Sequence, residues 1–196
     1  MARYTDTRRR VLEAAARLFQ KQGYAATGLI QVLAESSTPK GSFYFHFPAG
    51  KEQLAAESIA MSGSRTGEQM TAIVLAADDP AGAFSSLADL FAANLDGSGF
   101  HSGCPVATVA LEAAADSETI RSACDGVYGS WAQGLSLALR RWGVAEADAL
   151  PLCELVICAI QGGILLAKVR RDATVLHSIA RQLASHVSRS IHAEGQ

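Results

Sequence analysis

The chain has 196 residues, 49% of them hydrophobic, and a formal net charge of -2, so it can bury a core and is not a disordered segment. Residues 1–51 hold eight Lys/Arg against three acids, a net +5, which leaves -7 for the remainder and suits an anionic partner at one end only. Its four cysteines, Cys104, Cys124, Cys153 and Cys158, lack metal-ligand or C-x-x-C spacing, and neither a signal-like start nor an apolar run of membrane-spanning length is read from the sequence; the expectation is a protein of the reducing cytoplasm with no membrane partner, no metal and no cofactor, its cysteines acting as small buried hydrophobes.

Periodicity and punctuation predict an all-α fold. A first helix runs from about Asp6 to Gln22, with Val11, Ala15, Leu18 and Phe19 on one face and Gly23 where a C-terminal cap belongs. Thr27 is expected to cap a second helix carrying Leu29, Ile30, Val32 and Leu33, and Ser36-Ser37 to form a tight turn. Thr38 is then expected to cap a third helix with Pro39 at its first position, ending at Phe47-Pro48-Ala49-Gly50. Lys51 opens a long fourth helix toward Val74. Asp79-Pro80 starts another through about Leu95, residues 96–103 form a glycine-rich loop, and an Ala-rich helix ends near Ala115. Ser117 caps a long helix closed by Gly143, and two more follow near 147–171 and 174–192. The reading divides the chain into a three-helix unit over residues 1–50 and a larger helical body over 51–196.

The second and third predicted helices, joined by a short turn, have the spacing of a helix-turn-helix, whose second helix enters the major groove. Thr38, Lys40 and Ser42 stand near the start of that helix, where a lysine can donate to guanine and a serine to either base type. Tyr44 and His46 supply donors for phosphate, Phe45 or Phe43 can meet a thymine methyl, and Gly41 lets the backbone approach. Lys51 sits at a helix N-terminus, where anions are favoured. Thr27 and Pro39, at the two helix starts, complete the candidate DNA-binding set. Phe43 and Phe47, four apart, read as core.

The run from Gly23-Tyr24-Ala25-Ala26-Thr27 through Lys40-Gly41-Ser42-Phe43-Tyr44-Phe45-His46-Phe47-Pro48 to Lys51-Glu52-Gln53-Leu54 resembles the DNA-binding domain of TetR-family repressors. That resemblance implies an all-helical homodimer with three DNA-binding helices and a ligand-binding, dimerising body. It assigns operator contact to Lys40, Gly41, Ser42, Tyr44, Phe45 and His46, and a phosphate to Lys51. Ser37 stands where the family usually has glycine, and Gly50 is one residue more than usual before Lys51. Residues 47–52, together with Gly103-Cys104-Pro105-Val106-Ala107 and Leu111-Glu112-Ala113-Ala114, are similar to the branch containing lincomycin-resistance-type repressors, which tends to control efflux or detoxification genes.

In the body, Ala159, Gly162, Gly163 and Ala167 put small residues along one side of a helix, and Leu176, Ile179, Leu183 and Val187 line the last one. Two such helices from each subunit are expected to form the dimer interface. Met61, Phe84, Phe91, Phe100, Trp131 and Gln161 are the candidate walls and anchors of an effector pocket, Trp131 and Gln161 foremost. The absence of a charged anchor among them points to a neutral, mostly apolar effector. No nucleophile elbow, phosphate-cradling glycine loop or helical His/Glu metal pair is read, which argues against an enzyme. The competing reading is a DNA-binding regulator without a small ligand, controlled by a protein partner or by cysteine oxidation.

Overall fold

Start and stop residues divide the chain into nine α-helices among residues 2–192, the residues described in this computed structural model. They are α1 (Ala2–Ala26), α2 (Leu29–Glu35), α3 (Lys40–His46), α4 (Gly50–Ala76), α5 (Pro80–Gly97), α6 (Ala107–Ala113), α7 (Glu118–Arg141), α8 (Glu146–Arg170) and α9 (Thr174–His192). No strand occurs among the described residues.

The ends follow local chemistry. Asp79 caps α5 by accepting the Gly82 N–H at 2.8 Å, with Pro80 at the first position. The Ser117 hydroxyl accepts the Ile120 N–H at 3.1 Å and opens α7. Four helices stop in the same way, with a left-handed residue whose N–H and the next N–H turn back to the last carbonyls. Glycine fills that position after α5 and α7, but Ser37 (φ 50°) fills it after α2 and Arg171 (φ 50°) after α8. Two expected caps do not form. Gly28 occupies the cap of α2 and Pro39 that of α3. The Thr27 hydroxyl instead donates to the Gly23 carbonyl at 2.7 Å, and that of Thr38 to the Ser36 carbonyl at 3.3 Å, because each points back over the preceding turn.

The helices gather into two units. One comprises residues 1–65 and 104–127, the other 66–103 and 128–196, so α4 and α7 each contribute to both. In the first unit α1 packs against α2, α3 and α6. Its core is Val11, Ala15, Leu18, Phe19, Val32, Phe43, Phe47, Leu54 and Ile59, closed by Val106, Val109 and Ile120. Each fully buried side chain of this size contributes about 1.5–3 kcal/mol.

In the second unit α5, α8 and α9 pack together around Phe84, Leu87, Phe91, Val156, Ile160, Leu176 and Val187. The small-residue stripe of α8 divides between two faces. Gly163 and Ala167 are buried, and a Cβ at Gly163 would lie 2.8 Å from Ile179, so that glycine serves the contact with α9 inside the chain. Gly162 faces open space. Leu176, Leu183 and Val187, expected at a subunit interface, are buried within the chain.

The absence of a span-length apolar segment does not hold for α8. That helix reaches a mean hydropathy of 2.0 over 18 residues and is long and apolar enough to cross a membrane by length and composition, with 39% of that window buried. Leu150, Leu155, Leu165, Leu166 and Val169 along it are exposed. One or two such helices also occur as core or interface helices of ordinary domains.

Candidate nucleic-acid interface

Helices α2 and α3 are seven residues each, too short to hold themselves, so neighbours must fix them. Phe43 and Phe47 provide the anchor for α3, stacked at 5.3 Å and fully buried. The turn Ser36–Pro39 is tied to α1 as well, since the Arg10 Nε donates to the Ser36 carbonyl at 3.3 Å. Arg8 pairs with Glu57 of α4 and lies over the Phe47 ring at 5.3 Å. Arg9 pairs with Asp6 at 3.0 Å, and Arg65 with Glu13 at 3.3 Å. Arg9 also holds the Asp6 carboxyl below the usual carboxylate range, with Arg10 assisting. Three of the eight basic residues among residues 1–51, Arg8, Arg9 and Arg10, are therefore engaged in bracing the helices.

With Phe43 and Phe47 turned inward, α3 presents Lys40, Gly41, Tyr44 and Phe45 outward. Phe45 is 66% and Tyr44 47% exposed, a large aromatic area left facing solvent on one short helix. Pro39 is exposed beside them and Ser42 half-buried. On α2, Ile30 is 84% exposed and Gln31 is exposed too, held by the Gln22 amide at 2.9 Å. Thr27, Thr38 and His46 lie inside, all under 9% exposed. His46 packs edge-on to the Phe45 ring at 5.5 Å. Thr27 and Thr38 bond to the backbone of the motif, His46 packs inside it, and the outward residues make its surface.

Lys51 lies in the first turn of α4 with its ammonium 4.3 Å from the Tyr24 ring centroid. Burial there pushes the Lys51 ammonium below the ordinary lysine range, while the Glu112 carboxylate opposes that shift. The same enclosure, with Glu52 near, pushes the Tyr24 hydroxyl up. A feature that sequence spacing did not reveal joins them. The Glu112 carboxylate accepts the Ala25 N–H at 2.8 Å, across 87 residues of chain.

The candidate effector residues do not form one group. Phe84 and Phe91 line a small apolar space of about 10 Å³ between α5, α8 and α9, with Leu87, Ile160 and Leu183, room for one water at most. Trp131 is buried, edge-on to Tyr128 at 5.4 Å and against the backbone of Gly67. Gln161 and Phe100 are half-buried, Phe100 with φ 61°. Met61, also half-buried, belongs to the first unit.

Two stretches of the chain match known protein families. Residues 11–57 match the family of bacterial regulatory proteins, tetR family, and residues 80–182 match the LmrA/YxaF-like transcriptional regulator C-terminal domain. The chain is 37% identical over 177 residues to the HTH-type transcriptional regulator LmrA of Bacillus subtilis, covering 90% of this chain and 94% of that protein. It is 38% identical over 178 residues to the uncharacterized HTH-type transcriptional regulator YxaF of the same organism, covering 91% and 93%. Among solved structures, the regulatory protein TetR from Rhodobacter sphaeroides superposes with a TM-score of 0.80 at 24% identity, over 91% of this chain and 97% of that one, and so shares its fold.

Proposed function

Because the chain belongs to the TetR family of transcriptional regulators, we propose that it acts as a repressor in the cytoplasm: two copies bind a palindromic operator, and a small, mostly apolar effector releases them. The observation that carries this reading is the division of α3 into a buried Phe43/Phe47 face and an exposed Lys40/Tyr44/Phe45 face. Lys40 and Ser42 read base edges, Phe45 meets a methyl, and Tyr44 holds a phosphate. Gly41 and Pro39 admit the backbone, and Lys51 adds a phosphate contact at the start of α4. Thr27, Thr38 and His46 support the motif from within.

The residues 1–50 read DNA, and 51–196 pair the subunits and hold the effector. Pairing falls to α8 and α9. Leu155, Gly162, Leu166 and Val169 follow one another at seven-, four- and three-residue spacings on the exposed side of α8, and an open groove of about 400 Å³ beside them is lined by Leu155, Ala159, Ile179 and Leu183. A dimer sets two recognition helices on successive major grooves, about 34 Å apart. An effector that binds better to a differently spaced dimer shifts the population, and hundredfold release needs only about 2.7 kcal/mol of differential affinity. The apolar walls at Phe84 and Phe91 suit such a ligand once their small space opens. Burial pushes the Cys124 thiol up and that of Cys153 up to about 11, which disfavours control by oxidation at those two positions; Cys158, expected to be buried like the others, is exposed on α8 and leaves that alternative to be tested there.

Binding of the full chain to the palindrome nearest its own gene, over a salt series, tests this reading. Lys51→Ala should weaken binding to every sequence and reduce the salt slope by about 1, whereas Lys40→Ala should also relax base preference. Unchanged operator binding by both variants would sink the assignment.

A further inference from the structure

Gly23 interrupts α1 with φ 83° and ψ 177°, and the chain then makes one more turn through Ala26 before α2 begins. A turn that starts afresh leaves its first N–H groups without partners, and a capping side chain normally accepts one of them. Gly23 has no side chain to do so. The Glu112 carboxylate of α6 fills that place: it accepts the Ala25 N–H at 2.8 Å and occupies the volume of the missing side chain, since a Cβ on Gly23 would lie 1.9 Å from Glu112 Oε1. The Thr27 hydroxyl closes the same turn on the Gly23 carbonyl at 2.7 Å. Lys51 belongs to this cluster through Tyr24, and the Ser117 hydroxyl donates to the Glu52 carboxylate one residue further along α4. Residues 104–127, distant in sequence, thus hold the corner from which α2 and α3 depart.

We propose that Glu112 is a positioning residue for operator binding, an N-terminal cap supplied from α6 to the α1–α2 corner. The proposal rests on the operator reading above. Glu112 does not touch DNA; it fixes the backbone at Ala25, and its charge faces Lys51. Its two functions separate by substitution. Glu112→Gln keeps an oxygen for the Ala25 N–H and loses the charge, and Glu112→Ala loses both.

The test uses the full-length chain and its two variants, measuring operator affinity by fluorescence anisotropy and hydrogen exchange of the Ala25 amide by NMR. Glu112→Ala should weaken operator binding at least tenfold and speed Ala25 exchange at least tenfold. Glu112→Gln should bind within threefold of the wild type, or more tightly, with Ala25 still protected. A merely structural role would lower the melting temperature of both variants alike without this separation. Wild-type affinity in Glu112→Ala, or a Gln variant as impaired as the Ala one, overturns the proposal. If the wild type binds no palindrome, the operator reading falls and this proposal with it, while Ala25 exchange still reports whether the cap exists.

Discussion

Single residues in this chain act through backbone geometry as much as through side-chain chemistry. Ser37 holds the left-handed position that turns α2 into α3, at a cost of about 1 kcal/mol for a residue with a Cβ. Ser37→Gly should therefore raise stability by several tenths of a kcal/mol, the gain reduced by the greater freedom of glycine in the unfolded chain; urea denaturation measures it. Operator affinity should stay unchanged, since the side chain of Ser37 is not among the proposed contacts. Phe43→Ala should instead cost about 3–5 kcal/mol and abolish binding through loss of the anchor. The inward role of Phe43 and Phe47 was legible from their four-residue spacing. The inward turn of Thr27 and Thr38 was not, because a threonine before a helix reads as a cap until the backbone shows which way its hydroxyl points. Nothing around Gly23 announces that its missing cap lies at Glu112.

At the level of helices, the sequence was legible wherever a boundary is written locally. Asp79-Pro80, Ser117 and Gly143 stand at helix ends because their chemistry acts within three residues. Packing between helices was not legible, as Gly67 shows. A Cβ there would lie 2.6 Å from Trp131 Cδ1, so α4 and α7 approach closely only because that side chain is absent. Gly67→Ala should cost about 1–3 kcal/mol by overpacking, despite the better helix propensity of alanine, and thermal melting will register it. The start of α9 carries a pH dependence. The Asp172 carboxylate accepts the Thr174 N–H at 2.9 Å and its hydroxyl at 2.8 Å, and these bonds hold its pKa below the usual range. A carboxyl depressed in the folded state stabilises above its unfolded pKa, about 3.9, and that contribution disappears as pH falls through the lower folded value. Asp172→Ala should lower the melting temperature at pH 7, with the difference from wild type closing toward pH 2.

For the whole molecule, the exposed side of α8 decides more than any loop. If Leu166 and Val169 meet their copies in a dimer, Leu166→Glu with Val169→Glu should yield monomers by sedimentation and a large loss of operator affinity, because each half-site is then held alone. A double variant that remains dimeric would move the interface elsewhere. The apolar character of α8 also has a consequence for biosynthesis. The helix leaves the ribosome before α9, and at roughly 5–20 residues per second the next twenty or so take about one to four seconds. During that interval a segment with the composition of a membrane span has no α9 to pack against. Substitutions that delay the docking of α9 should therefore appear first as lost yield and misdirected nascent chains, ahead of any defect in regulation.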